Sequence, residues 1–312
     1  MAYPEDGDAG RLTRSQLGAE QQVGGQLTKT PVAESSEIER IQERSRFIRE
    51  ETVRLISIAR TGHYASTFSC AEIIAVLYYG IMRLRRGEPD WPDRDRFLMG
   101  KGHAAVGVYP VLSDWGFLDP SALDEYTRLG SPLGDHPDMQ RVAGIDFSSG
   151  SLGHALSVGV GMLLAARMRA LSFRVFVLLG DGELHEGQVW EAAAAASHHG
   201  LHNLVAIVDR NEYCLDGRVD DVLNIEPLAE RWRAFGWDVR EADGHDPAAL
   251  LAILRGLLGD ERRRAPAVLI AHTIKGRGVS FMEAEAGWHL GYLEQEDERD
   301  VLSELGATHE HA

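Results

Sequence analysis

The feature that most constrains the fold is a pair of short apolar runs, Phe173 to Leu179 and Leu204 to Asp209, separated by one helical segment. Each run has the length of a buried strand. A helix between two strands carries the chain back to the same sheet edge and makes them parallel neighbours. The first run leads straight into Gly180-Asp181-Gly182, and the second is followed by Asn211. In a parallel sheet both sequences emerge at the carboxyl ends of adjacent strands, where such sheets bind ligands.

The alternation continues on the C-terminal side. Trp237 to Arg240 and Ala267 to His272 read as further strands, with helices near 187–199, 227–235 and 247–258 between the runs. Gly200 stops one helix, and Asp246-Pro247 starts another as N-cap and first helical residue. Strands alternating with helices give an α/β fold, a doubly wound parallel sheet flanked by helices on both faces. Upstream, a long helical portion is expected. Ser36 and Glu39 fit a capping box ahead of a helix with Ile38, Ile41, Ile48, Leu55 and Ala59 on one stripe, and Ser69 with Glu72 fits a second box opening a helix over Ala71 to Met82. Residues 1–35 are rich in Gly, Gln, Thr and charge and read as a disordered arm. The expected organisation is that arm, a domain over 36–300 and a tail over 301–312.

A formal net charge of −16, from 48 acidic and 32 basic residues, disfavours a nucleic-acid or anionic-membrane surface. No apolar run approaches the roughly 20 residues of a membrane span. The start of the chain lacks a secretory pattern, and Cys70 and Cys214 have no metal-type spacing. The expected compartment is therefore the cytoplasm.

Asp181 and Asn211 offer a carboxylate and an amide oxygen, hard donors suited to Mg²⁺, with Ca²⁺ able to substitute. A diphosphate and a backbone carbonyl would complete the shell, and the flanking glycines let backbone approach the anion. Gly-Asp-Gly alone is common in turns. The unit of about thirty residues from strand through Gly-Asp-Gly, helix and strand to Asn is far more specific. It resembles the thiamine diphosphate motif of transketolases, pyruvate decarboxylases and 2-oxoacid dehydrogenases.

Other segments resemble transketolases in particular. These are Thr61-Gly62-His63; Arg94 to Phe97 with Lys101-Gly102-His103; Gly134-Asp135-His136-Pro137-Asp138; Gly150-Ser151-Leu152-Gly153-His154; and Trp288-His289. A single His beside Gly is usually a capped loop, but five motifs in the family's order point to a site. The resemblance implies that Asp181, Asn211 and the Tyr213 carbonyl bind the metal. Gly182 and His103 would meet the diphosphate, the Gly150 backbone the aminopyrimidine, and Leu152 would support the bent cofactor. His63, His136 and His289 would line the channel for the sugar's hydroxyls, and Glu186 would sit at a subunit contact. Departures are His154 for Gln, Asp138 for Glu after His-Pro, and Tyr64 where Pro is common. They bear on the donor, not the cofactor.

Nothing in the sequence resembles the family's second, pyrimidine-binding domain or its C-terminal domain. The expectation is a split transketolase whose partner subunit supplies both, assembled two-plus-two, acting on sugar phosphates. The alternative is a 2-oxoacid-type subunit handling a pyruvate-derived unit, which has little need for several hydroxyl-binding histidines. A non-catalytic relic would have lost Asp181 or Asn211, and neither is lost.

Overall fold

The computed structural model describes residues 35–307. The expected N-terminal arm, up to residue 34, and residues 308–312 of the expected tail lie outside the described residues.

Five strands form one parallel sheet: β1 (Arg96–Met99), β2 (Val175–Gly180), β3 (Leu204–Arg210), β4 (Asp238–Asp243) and β5 (Ala267–His272), in spatial order β1-β2-β3-β5-β4. All pairs are parallel, and the β2–β3 register sets Gly180 beside Asp209. The continuous apolar character of the central strands follows from burial on both faces. Phe176, Leu178, Val205, Ile207, Leu269 and Ala271 turn to one face, against the helices Ser35–Ala59 and Pro247–Gly259. Val175, Val177, Ala206, Val208, Val268 and Ile270 turn to the other, against the helices His154–Met168, Gly187–His198 and Leu228–Ala234. Each fully buried Val, Leu or Ile contributes about 1.5–3 kcal/mol. The edge strand β4 instead exposes Arg240, Glu241 and Asp243, which discourages pairing with another sheet edge.

The expected punctuation of the Pro247–Gly259 helix is present, since Asp246 accepts the Ala248 and Ala249 N–H groups at 2.9 and 3.2 Å. Five expectations differ. β1 lies where Arg94 to Phe97 was read only as a motif, and the helix His154–Met168 carries no period marked from sequence. The second capping box does not form. The helix Ala71–Val76 is capped by Cys70 without a side-chain bond and passes into a π-turn over Leu77–Ile81. Ser69 and Glu72 are drawn instead to buried partners, Asp209 and Arg49. Between Met82 and Ser151 the chain is mostly turns and short helical pieces rather than long helices. The helix Gln295–Glu304 crosses residue 300, and Val301 and Leu305 are buried, so the packed body runs past the expected boundary. No helix among the described residues is long and apolar enough to cross a membrane.

Candidate active site

Asp181 leaves β2 and Asn211 leaves β3, so the two stand at adjacent strand ends. Asp181 is 1% exposed. Its Oδ1 accepts the Gly182 N–H at 2.8 Å, and its Oδ2 accepts the Glu212 N–H at 2.5 Å and an Arg210 guanidinium N–H at 3.2 Å. Burial, with the neighbouring Asp209 charge, pushes the Asp181 carboxyl up to about 6. A divalent cation would favour the ionised form. Asn211 donates to Asp209 at 3.1 Å, and its amide oxygen accepts the Tyr213 N–H at 3.2 Å. Among the described residues, no group of three or more His, Cys, Asp or Glu side chains is arranged to hold a metal. A cation here would depend on mixed oxygen donors: one carboxylate, one amide and a backbone carbonyl, completed by a diphosphate. That donor chemistry fits Mg²⁺ or Ca²⁺.

Cradle features fit the diphosphate. A Cβ on Gly182 would stand 2.8 Å from the Cys214 Cβ, and one on Gly102 would stand 2.6 Å from the Ser149 hydroxyl. Glycine is needed at both places for backbone to run this close. The Ser149 hydroxyl is buried without a hydrogen-bond partner, immediately before Gly150. Glu183 lies inside, accepting the Gly153 and Gly180 N–H groups at 2.8 and 3.1 Å, and burial raises its carboxyl to about 7. Beneath Asn211, the fully buried Asp209 receives Lys101, the Thr273 hydroxyl and the Ser69 hydroxyl, the last at 2.6 Å.

The histidines come together from four segments. The His63 ring centroid lies 5.0 Å from that of His103, 5.3 Å from His289 and 6.3 Å from His136, while His103 and His289 are 5.1 Å apart. Two backbone hydrogen bonds between Gly62 and Gly291, of 2.9 and 3.0 Å, fasten the first and last of these segments together. Gly150 lies against the His136 ring. Lys275 donates to the His289 Nδ1 at 3.1 Å. Burial and the Lys275 charge hold His289 down to about 3, so its ring is neutral at physiological pH, and the Lys275 bond leaves the hydrogen on Nε2. Burial also lowers Lys275, to about 8, and holds His103 well below the ordinary range, with Lys101 adding to the effect.

The structure thus brings together Asp181, Gly182, Asn211 and Tyr213 on one side and His63, His103, His136 and His289 on the other. Leu152 is half-buried, its carbonyl accepting from Gln188 at 3.3 Å. Glu186 is exposed at the start of the Gly187–His198 helix. His154 turns back onto the Ser151 and Leu152 carbonyls. His198, His199 and His202 are exposed. His245 joins a buried network in which Glu72 takes two Arg49 N–H bonds and the His245 Nδ1 at 3.0 Å, while the His245 Nε2 accepts the Ile274 N–H.

Sequence reading assigned no role to Lys275, Arg210 or Asp135. Lys275 and Arg210 each sit at or just after the carboxyl end of a strand, and that position was the available signal. Asp135 stands inside a quoted motif, beside His136.

The family described as transketolase, thiamine diphosphate binding domain, matches residues 41–312. The chain is 39% identical over 269 residues to one of the apulose-4-phosphate transketolase subunits, that of Phocaeicola vulgatus, covering 86% of this chain and 95% of that protein. It is 36% identical to the 6-deoxy-6-sulfo-D-fructose transketolase subunit SqwG of a Clostridium species, covering 85% and 96%. In structure it is similar to a transketolase from Leishmania mexicana, with TM-score 0.81 and 26% identity over 86% of this chain. It spans only 41% of that longer chain. Fold, strand-end geometry and these likenesses agree: the chain belongs to the transketolase family as a thiamine diphosphate binding domain.

Proposed function

We propose that the chain is the N-terminal subunit of a two-component transketolase, which moves a two-carbon ketol unit from a ketose phosphate to an aldose. The observation that carries this reading is the convergence of His63, His103, His136 and His289 beside the Asp181/Asn211 strand ends. The relatives named as transketolase subunits, which this chain matches over nearly their whole length, support it.

Bound thiamine diphosphate supplies the carbon nucleophile and electron sink that carbon–carbon cleavage beside a carbonyl requires. In this reading Asp181, Asn211 and the Tyr213 carbonyl hold Mg²⁺ against the diphosphate, and Gly182 and His103 meet the same group. The Gly150 backbone and Leu152 lie along the cofactor's other end. His289, neutral with its hydrogen on Nε2, donates toward the donor's oxygens, while His63 and His136 take up and return hydroxyl protons. Such transfers contribute about 10²- to 10⁴-fold. A pyruvate-derived donor carries too few hydroxyls to occupy this group of imidazoles.

A partner subunit with the pyrimidine-binding and C-terminal domains completes the site in a two-plus-two assembly, with Glu186 at a subunit contact. The test is a ketol-transfer assay on each separated component and on the mixture, with mass measurement of the assembly. Activity is expected only in the mixture with thiamine diphosphate and Mg²⁺. Full transfer by this chain alone would overturn the split-enzyme reading.

A further inference from the structure

We propose that Asp135 is a positioning residue that holds His63 and His136 in one tautomer, with hydrogen on both Nδ1 atoms and both Nε2 atoms left as proton acceptors for the donor's hydroxyls. The inference deepens the reading of these histidines as donor-side groups and rests on it.

Asp135 Oδ1 lies 3.3 Å from the His63 Nδ1, and its Oδ2 lies 3.5 Å from the His136 Nδ1. One carboxylate therefore faces two rings, through a hydrogen bond to His63 and a longer charge contact to His136. An ionised carboxylate only accepts hydrogen bonds, so the nitrogen facing it must carry the hydrogen. Burial acts to raise the Asp135 carboxyl, but the hydrogen bond and charge of His63, with His136 and Tyr126, outweigh it and leave the carboxyl below its ordinary value. The loop is built to hold this aim. The Tyr126 hydroxyl donates to Asp135 Oδ1 at 3.4 Å, and the Tyr109 hydroxyl donates to the Gly134 carbonyl at 2.8 Å. Both tyrosines are fully buried.

The other groups facing this pair are His103 and His289, with Lys275 and Lys101 behind them, and none is an anion. Among the described residues, Asp135 is the one carboxylate paired with either ring. The contrast with His289 gives the arrangement its chemical sense. There a lysine faces Nδ1 and puts the hydrogen on Nε2. Two rings thus present acceptors and one presents a donor, which matches a substrate carrying hydroxyl groups next to a carbonyl oxygen.

The test uses the full chain, labelled with ¹⁵N-histidine and assembled with its partner subunit. Two-bond proton–nitrogen correlations report the tautomer of each ring, with His63 and His136 assigned from single substitutions. Nδ1–H is expected for both rings in the wild-type protein. In Asp135→Asn, whose amide group can turn its NH₂ to one ring, at least one ring should change to Nε2–H. The melting temperature should be retained, and kcat should fall about 10- to 100-fold with little change in the donor KM. Asp135→Glu, which keeps the charge, should restore part of the rate. Nε2–H on both rings in the wild-type protein, or identical tautomers in wild type and Asp135→Asn, would overturn the proposal. Absence of ketol transfer in the wild-type assembly would instead strike the functional reading, because the tautomers are read without turnover.

Discussion

In the proposed site, the diphosphate side and the donor side are built in opposite ways. Asp181 and Asn211 come from one contiguous strand–helix–strand unit, are almost wholly buried, and have their polar atoms engaged by nearby backbone and side chains. The donor-side histidines, His63, His136 and His289, come from three separated segments, and the His136 side chain remains 44% exposed. An invariant, highly charged group is best met by donors that need no rearrangement when it arrives. A polyhydroxylated donor that must enter, react and leave is better met by imidazoles whose orientation is imposed from behind. Preorganisation is therefore local on one side and tertiary on the other.

The sharpest way to break this comparison is at Asp181. Asp181→Ala should remove cation-dependent thiamine diphosphate binding, a loss of about 100-fold or more. Calorimetry on the assembly, with and without chelator, checks it. Equal wild-type affinity in both conditions would sink the metal assignment.

On the donor side the loss should fall on turnover. His136→Ala and His289→Ala are expected to lower kcat by about 10²- to 10⁴-fold, with cofactor affinity held within a few-fold. Steady-state kinetics at saturating donor, beside the same calorimetry, separates the two. A near-normal rate would remove these rings from the reaction.

A fourth substitution probes the support behind the donor side. Burial acts to raise the Glu72 carboxyl, but Arg49 and His245 outweigh it and bring it down to about 2. The ionised carboxylate stabilises the fold fully above its unfolded value of about 4.5, and that contribution is lost as pH falls toward about 2. Glu72→Gln should cost about 3 kcal/mol at neutral pH, and the deficit should shrink as pH drops below about 4.5. Denaturant titrations at pH 7 and pH 4 measure it. A deficit independent of pH would show that packing, not charge, holds this network.

The smallest effect is expected at Gly182. The methyl of Gly182→Ala must displace the loop carrying Cys214, so cofactor affinity should fall about tenfold while the rate of the loaded enzyme changes little. Unchanged affinity would mean that the Tyr213–Gly217 loop yields freely and that the diphosphate side is less rigid than its burial implies.

The same contrast decides what could be read from sequence. The β2–helix–β3 unit was legible because its signals are local: two apolar runs, two glycines, a carboxylate and an amide. The histidines were legible only through resemblance to a known family, since nothing within a window around His63 points to His289. Lys275 and Asp135 acquire their roles from what lies across the pocket, and no spacing announces that. Ser69 and Glu72 show the converse error. Their i, i+3 pattern suits a capping box, yet Asp209 and Arg49 compete for the same side chains. A buried charge without a partner costs more than an uncapped helix end. β1 was missed because Arg96–Met99 is too short and too charged at its start to stand out as an apolar run.

The Gly62–Gly291 clasp has a consequence for how the molecule comes into being. The neighbouring contact, in which the Tyr64 hydroxyl faces the Leu293 N–H, closes a loop of 229 residues. Ends so far apart meet late, whereas the β2–β3 pair closes across a single helix. During synthesis the diphosphate grip can fold while the C-terminal segment is still inside the ribosome. The donor pocket cannot, because His289 has no place until Gly291 has emerged to meet Gly62. The order of closure thus puts the Asp181/Asn211 strand ends in place before the pocket that His289 completes.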